Sequence, residues 1–190
     1  MTTETIAPEA LPEFRPFQKI ARLNREVIVS EKIDGTNAVV WVNDTMTDLH
    51  AGSRSRWITP GDDNFGFAAW VEKNRDELLT LGPGFHFGEW WGAGIQRKYG
   101  LTEKRFSLFN TSRWSDDATR PKCCHVVPTL AAGPDIREVT EEALSRLRVK
   151  GSFAAPGFDK PEGVVVFHTA SGGLFKVTLD GDAVPKGRGQ

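Results

Sequence analysis

The sequence lacks several features that would assign it to a protein class at once. It has only two cysteines in 190 residues, Cys123 and Cys124, and their adjacency disfavours a mutual disulfide. There is no second cysteine pair to complete a zinc site, which favours a reducing, intracellular setting. No apolar run approaches a membrane span, and the N-terminus has no basic-then-apolar signal pattern. The sequence therefore predicts a soluble cytoplasmic protein.

Charge of one sign is also missing. The chain has 24 Lys and Arg residues against 25 Asp and Glu residues, so it has no global electrostatic signature of a nucleic-acid coat protein. A polyanion would have to bind to a local basic patch. Six basic residues are candidates for such a patch, and they could equally be ordinary solvated charges. They are Arg54, Arg56, Arg97, Lys98, Lys104 and Arg105.

The length fits one domain. No repeat and no long linker divides residues 1–190, so the sequence predicts a single domain with flexible tails at residues 1–10 and 180–190. After the first tail, a proline-containing lead-in offers apolar anchors, and we expect it to pack on the body of the domain. The anchors are Phe14, Phe17, Ile20 and Leu23.

The stretch that organises the chain is Glu31-Lys32-Ile33-Asp34-Gly35-Thr36-Asn37, which lies between the apolar runs 27–29 and 38–42. Asp34-Gly35 is a tight-turn signal, so the stretch predicts a β-hairpin with Lys32 at a strand end. A free lysine amine titrates near ~10.4 and needs burial or nearby positive charge to become a nucleophile. Taken alone, such a motif is more often a surface lysine in a turn.

The rest of the chain alternates short strands with a few helices. Caps, apolar periodicity and turn residues predict an α+β fold, in which an antiparallel β-rich body carries helices on its outside. The predicted helices are residues 64–81, capped by Asp62, Asp63 or Asn64, and residues 140–149. The predicted strands after the first hairpin are about 49–54, 85–92, 106–110, 123–127, 162–167 and 173–178.

Glu89 is the second candidate for chemistry. It stands in Phe85-His86-Phe87-Gly88-Glu89-Trp90-Trp91-Gly92, where aromatic residues flank it on both sides. A carboxylate on a largely buried strand is costly without a partner, so Glu89 calls for a cation, a metal or a donor such as a ribose hydroxyl. The alternative is an exposed glutamate on an edge strand. His86 alternates with the phenylalanines and is expected on the solvent face.

Taken in order, six short motifs form a recognisable series. They are Lys32-Ile33-Asp34-Gly35, Ser53-Arg54, Phe87-Gly88-Glu89, Phe106 to Phe109, Glu162-Gly163-Val164-Val165 and Phe175-Lys176. From about Val27 to Val177 the chain resembles the covalent nucleotidyltransferase superfamily of polynucleotide ligases and capping enzymes, and most closely its RNA ligase family. The resemblance implies a minimal nucleotidyltransferase (adenylation) domain without the C-terminal oligonucleotide-binding barrel.

The resemblance also implies roles for individual residues. Lys32 would carry AMP through a phosphoramidate bond, with Lys176 and Glu162 as further catalytic groups. Glu162 and Lys176 would also contact the nucleotide, together with Glu31, Ile33, Asp34, Gly35, Asn37, Arg54, Glu89 and Phe109. Glu162, with Glu89, would bind a metal, and these oxygen donors suit Mg²⁺ or Mn²⁺. The implied ligands are ATP and RNA ends with 5′-phosphate and 3′-hydroxyl groups, in RNA repair.

The chain departs from the family pattern at two places. The last motif often carries two lysines as Lys-x-Lys, whereas Thr178 stands at the second place here. Only a short tail follows Thr178, which is too little for the barrel of DNA ligases and capping enzymes and favours the RNA ligase branch. Two other readings stay open, namely a stand-alone adenylyl- or guanylyltransferase and a non-catalytic module that binds nucleotides or RNA ends.

Overall fold

The structure is a computed structural model that describes residue 13 and residues 15–180. The described chain forms strands and helices whose bounds, in order along the chain, are as follows. They are β1 Val27–Lys32, β2 Thr36–Val42, β3 Leu49–Gly52, β4 Trp57–Ile58, α1 Phe67–Lys73, α2 Arg75–Leu79, β5 Gly84–Gly92, β6 Lys104–Leu108, α3 Thr111–Trp114, β7 Cys124–Val126, β8 Thr129–Gly133, α4 Ile136–Lys150, β9 Gly163–His168 and β10 Gly173–Thr178.

The strands form two sheets. The smaller has the order β10-β9-β1-β8 and the larger the order β4-β3-β2-β5-β6-β7. All named strand pairs are antiparallel except β6 and β7, which run parallel because the segment with α3 carries the chain back to the end of the sheet where β6 begins. The predicted α+β class is therefore confirmed, with one parallel pair that the prediction did not include.

Helices cover the outer face of each sheet. Val139, Leu144 and Leu147 of α4 pack on the small sheet. Helix α4 begins at Ile136 because the Asp135 side chain accepts hydrogen bonds from the N–H groups of Arg137 and Glu138. Helices α1 and α2 pack on the large sheet in the same way through Phe67, Val71 and Leu78. None of the helices in the described chain is long and apolar enough to cross a membrane. The inner faces of the two sheets remain free to form a cleft.

The predicted hairpin of β1 and β2 is wrong. β1 pairs with β8 and β9, whereas β2 pairs with β3 and β5 in the other sheet. Residues 33–35 therefore carry the chain from one sheet to the other. Asp34-Gly35 does mark a turn, but a local turn signal does not determine which strands pair, and here both edges of β1 are occupied by strands far along the chain.

Other predicted boundaries also change. The predicted helix 64–81 is two short helices that meet at Asn74, whose side-chain amide donates to the Trp70 carbonyl oxygen and competes with the helical bonds. The predicted helix 140–149 starts four residues earlier. The sequence reading missed β4, α3 and β8 altogether, because two to five residues give too little periodicity.

The lead-in does not pack on the body as predicted, because Phe17 and Ile20 are almost fully exposed. Phe14 lies outside the described residues, as do the predicted tails apart from Asp180.

Gly35 lets the crossing segment pass close to strand β5. A Cβ on Gly35 would lie 2.5 Å from the Trp90 carbonyl oxygen and 2.7 Å from Trp91 Cβ. We expect Gly35→Ala to lower the free energy of unfolding by about 1–3 kcal/mol, because backbone must move to admit the methyl group. Urea denaturation measures this change. Gly61→Ala is the matched control, since its Cβ would meet none of the described atoms within 4 Å, and equal midpoints for the two variants would contradict the prediction.

Candidate functional site

A cleft of about 720 Å³ lies between the inner faces of the two sheets. This volume falls in the range of small-molecule sites in proteins. The small sheet, the large sheet and the segment from Phe109 to Trp114 each form one wall. The residues that line the cleft include Ile28, Ser30, Lys32, Asn37, Phe85, Phe87, Glu89, Phe109, Arg113, Val165, Phe167 and Leu174.

Lys32 occupies the last position of β1, where the chain leaves the small sheet. Its Nζ lies 2.6 Å from Glu162 Oε2, and the two side chains are 24% and 17% exposed. Glu162 comes directly before β9, and β9 pairs with β1 so that Lys32 lies opposite Gly163. The sheet register therefore brings together two residues that are 130 positions apart in the sequence.

The turn after Lys32 is held from several sides. The Asp34 N–H donates to the Tyr99 hydroxyl oxygen at 2.7 Å, and Arg97 Nε lies 3.1 Å from Asp34 Oδ2. A terminal nitrogen of Arg97 also donates to the Lys160 carbonyl oxygen at 2.9 Å. Arg97 thus ties the turn to the segment that carries Glu162. Ile33 is buried beneath the turn in a small apolar cluster that includes Tyr99.

Glu89 projects into the cleft from β5 and is only 8% exposed. Its Oε1 accepts a hydrogen bond from the Gly35 N–H at 3.0 Å. Burial raises the pKa of this carboxyl group to about 7, although the nearby Lys32 acts in the opposite direction. The predicted burial of Glu89 on a strand is confirmed, and the group is poised between its neutral and charged forms near neutral pH.

Glu31 lies beside Lys32 but faces the other way. Its side chain is 1% exposed, and its position opposite Val164 places it on the helix side of the small sheet. The carboxylate accepts hydrogen bonds from the Ser152 hydroxyl at 2.6 Å and from the backbone N–H groups of Phe153 and Ala154 at 2.8 and 2.9 Å. Burial raises the pKa of Glu31, and these three donors oppose that rise. The side chain therefore fixes the segment after α4 to the strand that carries Lys32.

The remaining predicted nucleotide contacts have different positions. Asn37 pairs with Glu89 across β2 and β5, so both lie on the cleft face of the large sheet. Phe109 lines the cleft and is 42% exposed. Lys176 is exposed and lies opposite Val165, which lines the cleft. Arg54 is exposed in the bend between β3 and β4 and is not among the lining residues. These roles stay predictions.

The expectation for His86 is wrong. His86 is 4% exposed, and its Nε2 lies 2.8 Å from the Gly82 carbonyl oxygen. Its neighbours Phe85 and Phe87 point into the cleft instead and are 56% and 59% exposed. The sequence shows that His86 and the two phenylalanines lie on opposite faces of β5. The usual rule that aromatic residues face the core assigns the phenylalanines to the buried face, whereas the structure has His86 there.

Sequence reasoning missed several groups that hold the site together. Tyr99, Ser152 and the short helix α3 carried no local signal, since each acts through partners that are distant in the sequence. Of the candidates for a basic patch, Arg56, Arg97 and Arg105 are paired with Asp62, Asp34 and Glu103. These pairs reduce the local positive charge.

The carboxylates of Glu89 and Glu162 suit a divalent ion that binds together with the phosphates of a ligand. In the described residues, no three His, Cys, Asp or Glu side chains form a group that could hold a metal by themselves. Glu89 and Glu162 are close enough to influence each other electrostatically, and both present oxygen donors to the space around Lys32. Magnesium typically binds one or two carboxylates and completes its shell with water and substrate phosphates. The two residues fit that mode of binding.

The Lys32 amine lies at the mouth of a cleft between two mostly antiparallel sheets, in contact with Glu162 and near Glu89, and this arrangement fits a nucleotidyltransferase type of domain. The family model for RNA ligase matches residues 25–178, and the chain belongs to that family. A search of curated proteins finds no match.

Solved structures of Naegleria gruberi RNA ligase share the fold. A variant with ATP and Mn has 18% identity to this chain and a TM-score of 0.59, and the match covers 83% of this chain and 51% of that chain. The complex with PPi has 19% identity and a TM-score of 0.58, with coverage of 82% and 50%. An apo variant has 19% identity and a TM-score of 0.56, with coverage of 88% and 57%. The chain thus spans about half the length of these ligases.

The raised pKa of Glu89 predicts a pH-dependent effect on stability. A carboxyl group whose pKa is higher in the folded than in the unfolded protein favours the fold at low pH, and this contribution is lost as pH rises through about 7. Glu89→Gln keeps an acceptor for Gly35 and removes the charge. We expect the variant to gain stability over the wild type by up to about 3 kcal/mol between pH 4 and pH 8.

Urea denaturation of both proteins across this pH range measures the gap directly. Comparing the two proteins cancels the contributions of the histidines and other titrating groups. A gap that stays constant with pH would contradict the assignment of the raised pKa to Glu89.

Proposed function

We propose that this protein is an ATP-dependent RNA ligase in which Lys32 forms a covalent bond to AMP. The observation that carries the proposal is the pair of Lys32 and Glu162, 2.6 Å apart at the edge of the 720 Å³ cleft. Family membership supports the reaction class. The relatives solved with ATP and Mn support the choice of nucleotide and of a divalent metal.

In the first step, the Nζ lone pair of Lys32 attacks the α-phosphorus of ATP. A nitrogen–phosphorus bond forms, the bond from the α-phosphorus to the bridging oxygen breaks, and pyrophosphate leaves with the electron pair. The amine must lose its proton, and Glu162 Oε2 is the acceptor already in contact with Nζ. Glu162 and Glu89 would hold the divalent metal, which would supply positive charge to stabilise the phosphates and the leaving group.

Besides the metal, Lys176 is the second cation that we assign to the attack on ATP. It lies two strands from β1 and one side-chain row from Lys32, which corresponds to a Cα separation of about 12 Å. Two extended lysine side chains can meet at one phosphate across that span. Lys176 would contact the α-phosphate and would favour the neutral amine of Lys32 in the complex.

The nucleoside fits the part of the cleft between Phe109 and Glu89. Phe109 is exposed to the cleft and offers a ring for stacking a base. Glu89 and Asn37, side by side on the large sheet, offer hydrogen bonds to ribose or to the reacting phosphates. Glu89 in its ionised form accepts a hydrogen bond from a ribose hydroxyl group, so ribose binding favours the charged state of this carboxyl group.

In the later steps, AMP passes from Lys32 to a 5′-phosphate RNA end and a phosphorus–oxygen bond replaces the bond to nitrogen. A 3′-hydroxyl then attacks the activated 5′-phosphate, the phosphodiester forms and AMP leaves. Both steps use the same cleft, because the activated phosphate stays beside the groups that bound the α-phosphate of ATP.

The nucleophile can be tested by covalent labelling. Incubation with ATP labelled at the α-phosphate and Mg²⁺ should leave label on the wild-type protein, and mass spectrometry should locate one AMP on Lys32. Lys32→Ala should remove the label completely, because the variant lacks the amine that forms the bond to AMP in the proposed reaction. Lys150→Ala, at the exposed last position of α4 on the outer side of the small sheet, is the matched control and should keep it. Equal labelling of the Lys32 variant would refute the role of this residue.

The ligase activity has its own test. The labelled protein is given nicked RNA, RNA with single-stranded ends, and nicked DNA. We expect joined RNA with release of AMP, and less or no joining of DNA. Label on the protein without a joined product from any substrate would contradict ligation and favour a stand-alone nucleotidyltransferase.

A further inference from the structure

The inner face of the large sheet carries aromatic rings, most of them exposed, that extend from the cleft towards the edge of the sheet. They form two rows across the strands, and we call them the aromatic array: Trp41, His50, Trp57, Phe85 and Phe87. Trp57, Phe85 and Phe87 are 53%, 56% and 59% exposed. In the described chain, helices α1 and α2 cover the opposite face of this sheet. Such rings need an explanation, since large apolar patches on a protein surface usually bind something.

The register of the strands fixes the two rows. In the first row, Phe87 lies opposite Val39, Val39 opposite Gly52, and Gly52 opposite Trp57. In the second row, Phe85 lies opposite Trp41, and Trp41 opposite His50.

Neighbouring rings are close, and three of the pairs are nearly parallel, whereas Trp41 meets Trp57 and Phe85 at 66° and 52° and His50 meets Trp57 at 60°. The ring centroids of Phe85 and Phe87 are 5.9 Å apart with planes at 11°, those of Trp57 and Phe85 are 6.2 Å apart at 24°, and those of Trp41 and His50 are 5.8 Å apart at 16°.

The array is continuous with the cleft. Phe85 and Phe87 belong to both, and the first row of the array lies two residues, or about 7 Å, from the row of Asn37 and Glu89. A chain that leaves the cleft along this sheet passes directly over the array.

An exposed cation at the margin of the array fits a polyanion, although the Asp48 carboxylate lies beside the array, 3.5 Å from His50 Nε2. Arg54 lies in the bend between β3 and β4, three residues before Trp57, and is exposed. Among the described residues it has no hydrogen bond or ion pair, so its guanidinium group is available for a phosphate. Exposed aromatic rings on a sheet with a free arginine at the margin are the combination by which proteins bind single-stranded nucleic acid.

We propose that the aromatic array is a base-stacking platform that binds single-stranded RNA next to the cleft, with Arg54 contacting its backbone. This inference rests on the proposed ligase function, because that function brings an RNA end into the cleft. Stacking on such rings tolerates any base, so the platform binds the strand without sequence specificity.

The test is the affinity for a fluorescent single-stranded RNA of twelve nucleotides, measured by fluorescence anisotropy at fixed salt. Trp57→Ala should weaken binding by about tenfold or more, in line with the loss of one base–aromatic contact. Trp57→Phe should restore most of the affinity, since it keeps a ring. Phe175→Ala is the matched control, because Phe175 is equally exposed but lies outside the array, and it should bind as the wild type does.

A second variant and a second ligand serve as controls for the binding test. His50→Ala should weaken binding in the same direction, and it carries the test if Trp57→Ala does not fold by circular dichroism. A twelve-nucleotide abasic strand should bind the wild type and Trp57→Ala equally, because it offers phosphates and no bases. Unchanged RNA affinity in both variants, or an equal loss for RNA and the abasic strand, would overturn the proposal.

The remaining outcomes separate this proposal from others. Light scattering that shows a dimer of the wild type, dissociated by Trp57→Ala, would overturn the platform and make this face an interface between two copies. Labelling of the wild type with ATP is measured in parallel. A protein that binds RNA through the array but takes no label contradicts the ligase function alone, whereas a labelled protein with unchanged affinity in the variants contradicts the platform alone.

Discussion

The site depends on the place where the chain crosses between the two sheets. Lys32 ends a strand of the small sheet and Thr36 begins a strand of the large sheet, so the three residues between them must turn in a confined space. Hydrogen bonds from the N–H groups of Asp34 and Gly35 to Tyr99 and Glu89, together with the ion pair of Arg97, hold this crossing in place. A lysine on a free hairpin would sample many positions, whereas here its backbone is fixed relative to both walls of the cleft.

Two buried carboxylates beside this crossing show how environment separates structural from reactive groups. Glu31 and Glu89 both have a raised pKa because burial disfavours their charge. Glu31 is satisfied by three donors on the helix side of the sheet, so its role is to hold chain segments together. Glu89 accepts a hydrogen bond from only one donor among the described residues, and it faces the cleft. Its unused hydrogen-bonding capacity is directed at the space where a ligand would bind.

The sequence predicted the fold class and most strands, because apolar alternation and turn residues are local signals. It also singled out Lys32, Glu89 and Glu162, which the structure brings around one cleft. It did not predict that β1 and β2 separate into different sheets, because strand pairing depends on long-range contacts that a turn such as Asp34-Gly35 does not encode. The faces of β5 were inverted for a related reason, since periodicity gives two faces but not which of them meets a core.

The sheet register shows where Thr178, which replaces the second lysine of the last motif, lies relative to Lys32. Thr178 lies opposite Gly163, and Gly163 lies opposite Lys32, so the three residues form one row across β10, β9 and β1. Lys176 belongs to the next row, opposite Val165. A second lysine of a Lys-x-Lys motif would therefore stand in the row of the nucleophile itself, about 10 Å away across two strand spacings. In the proposed reaction, the threonine keeps a hydroxyl there and leaves Lys176 as the cation that β10 contributes, so phosphate binding depends more strongly on Lys176 and on the metal.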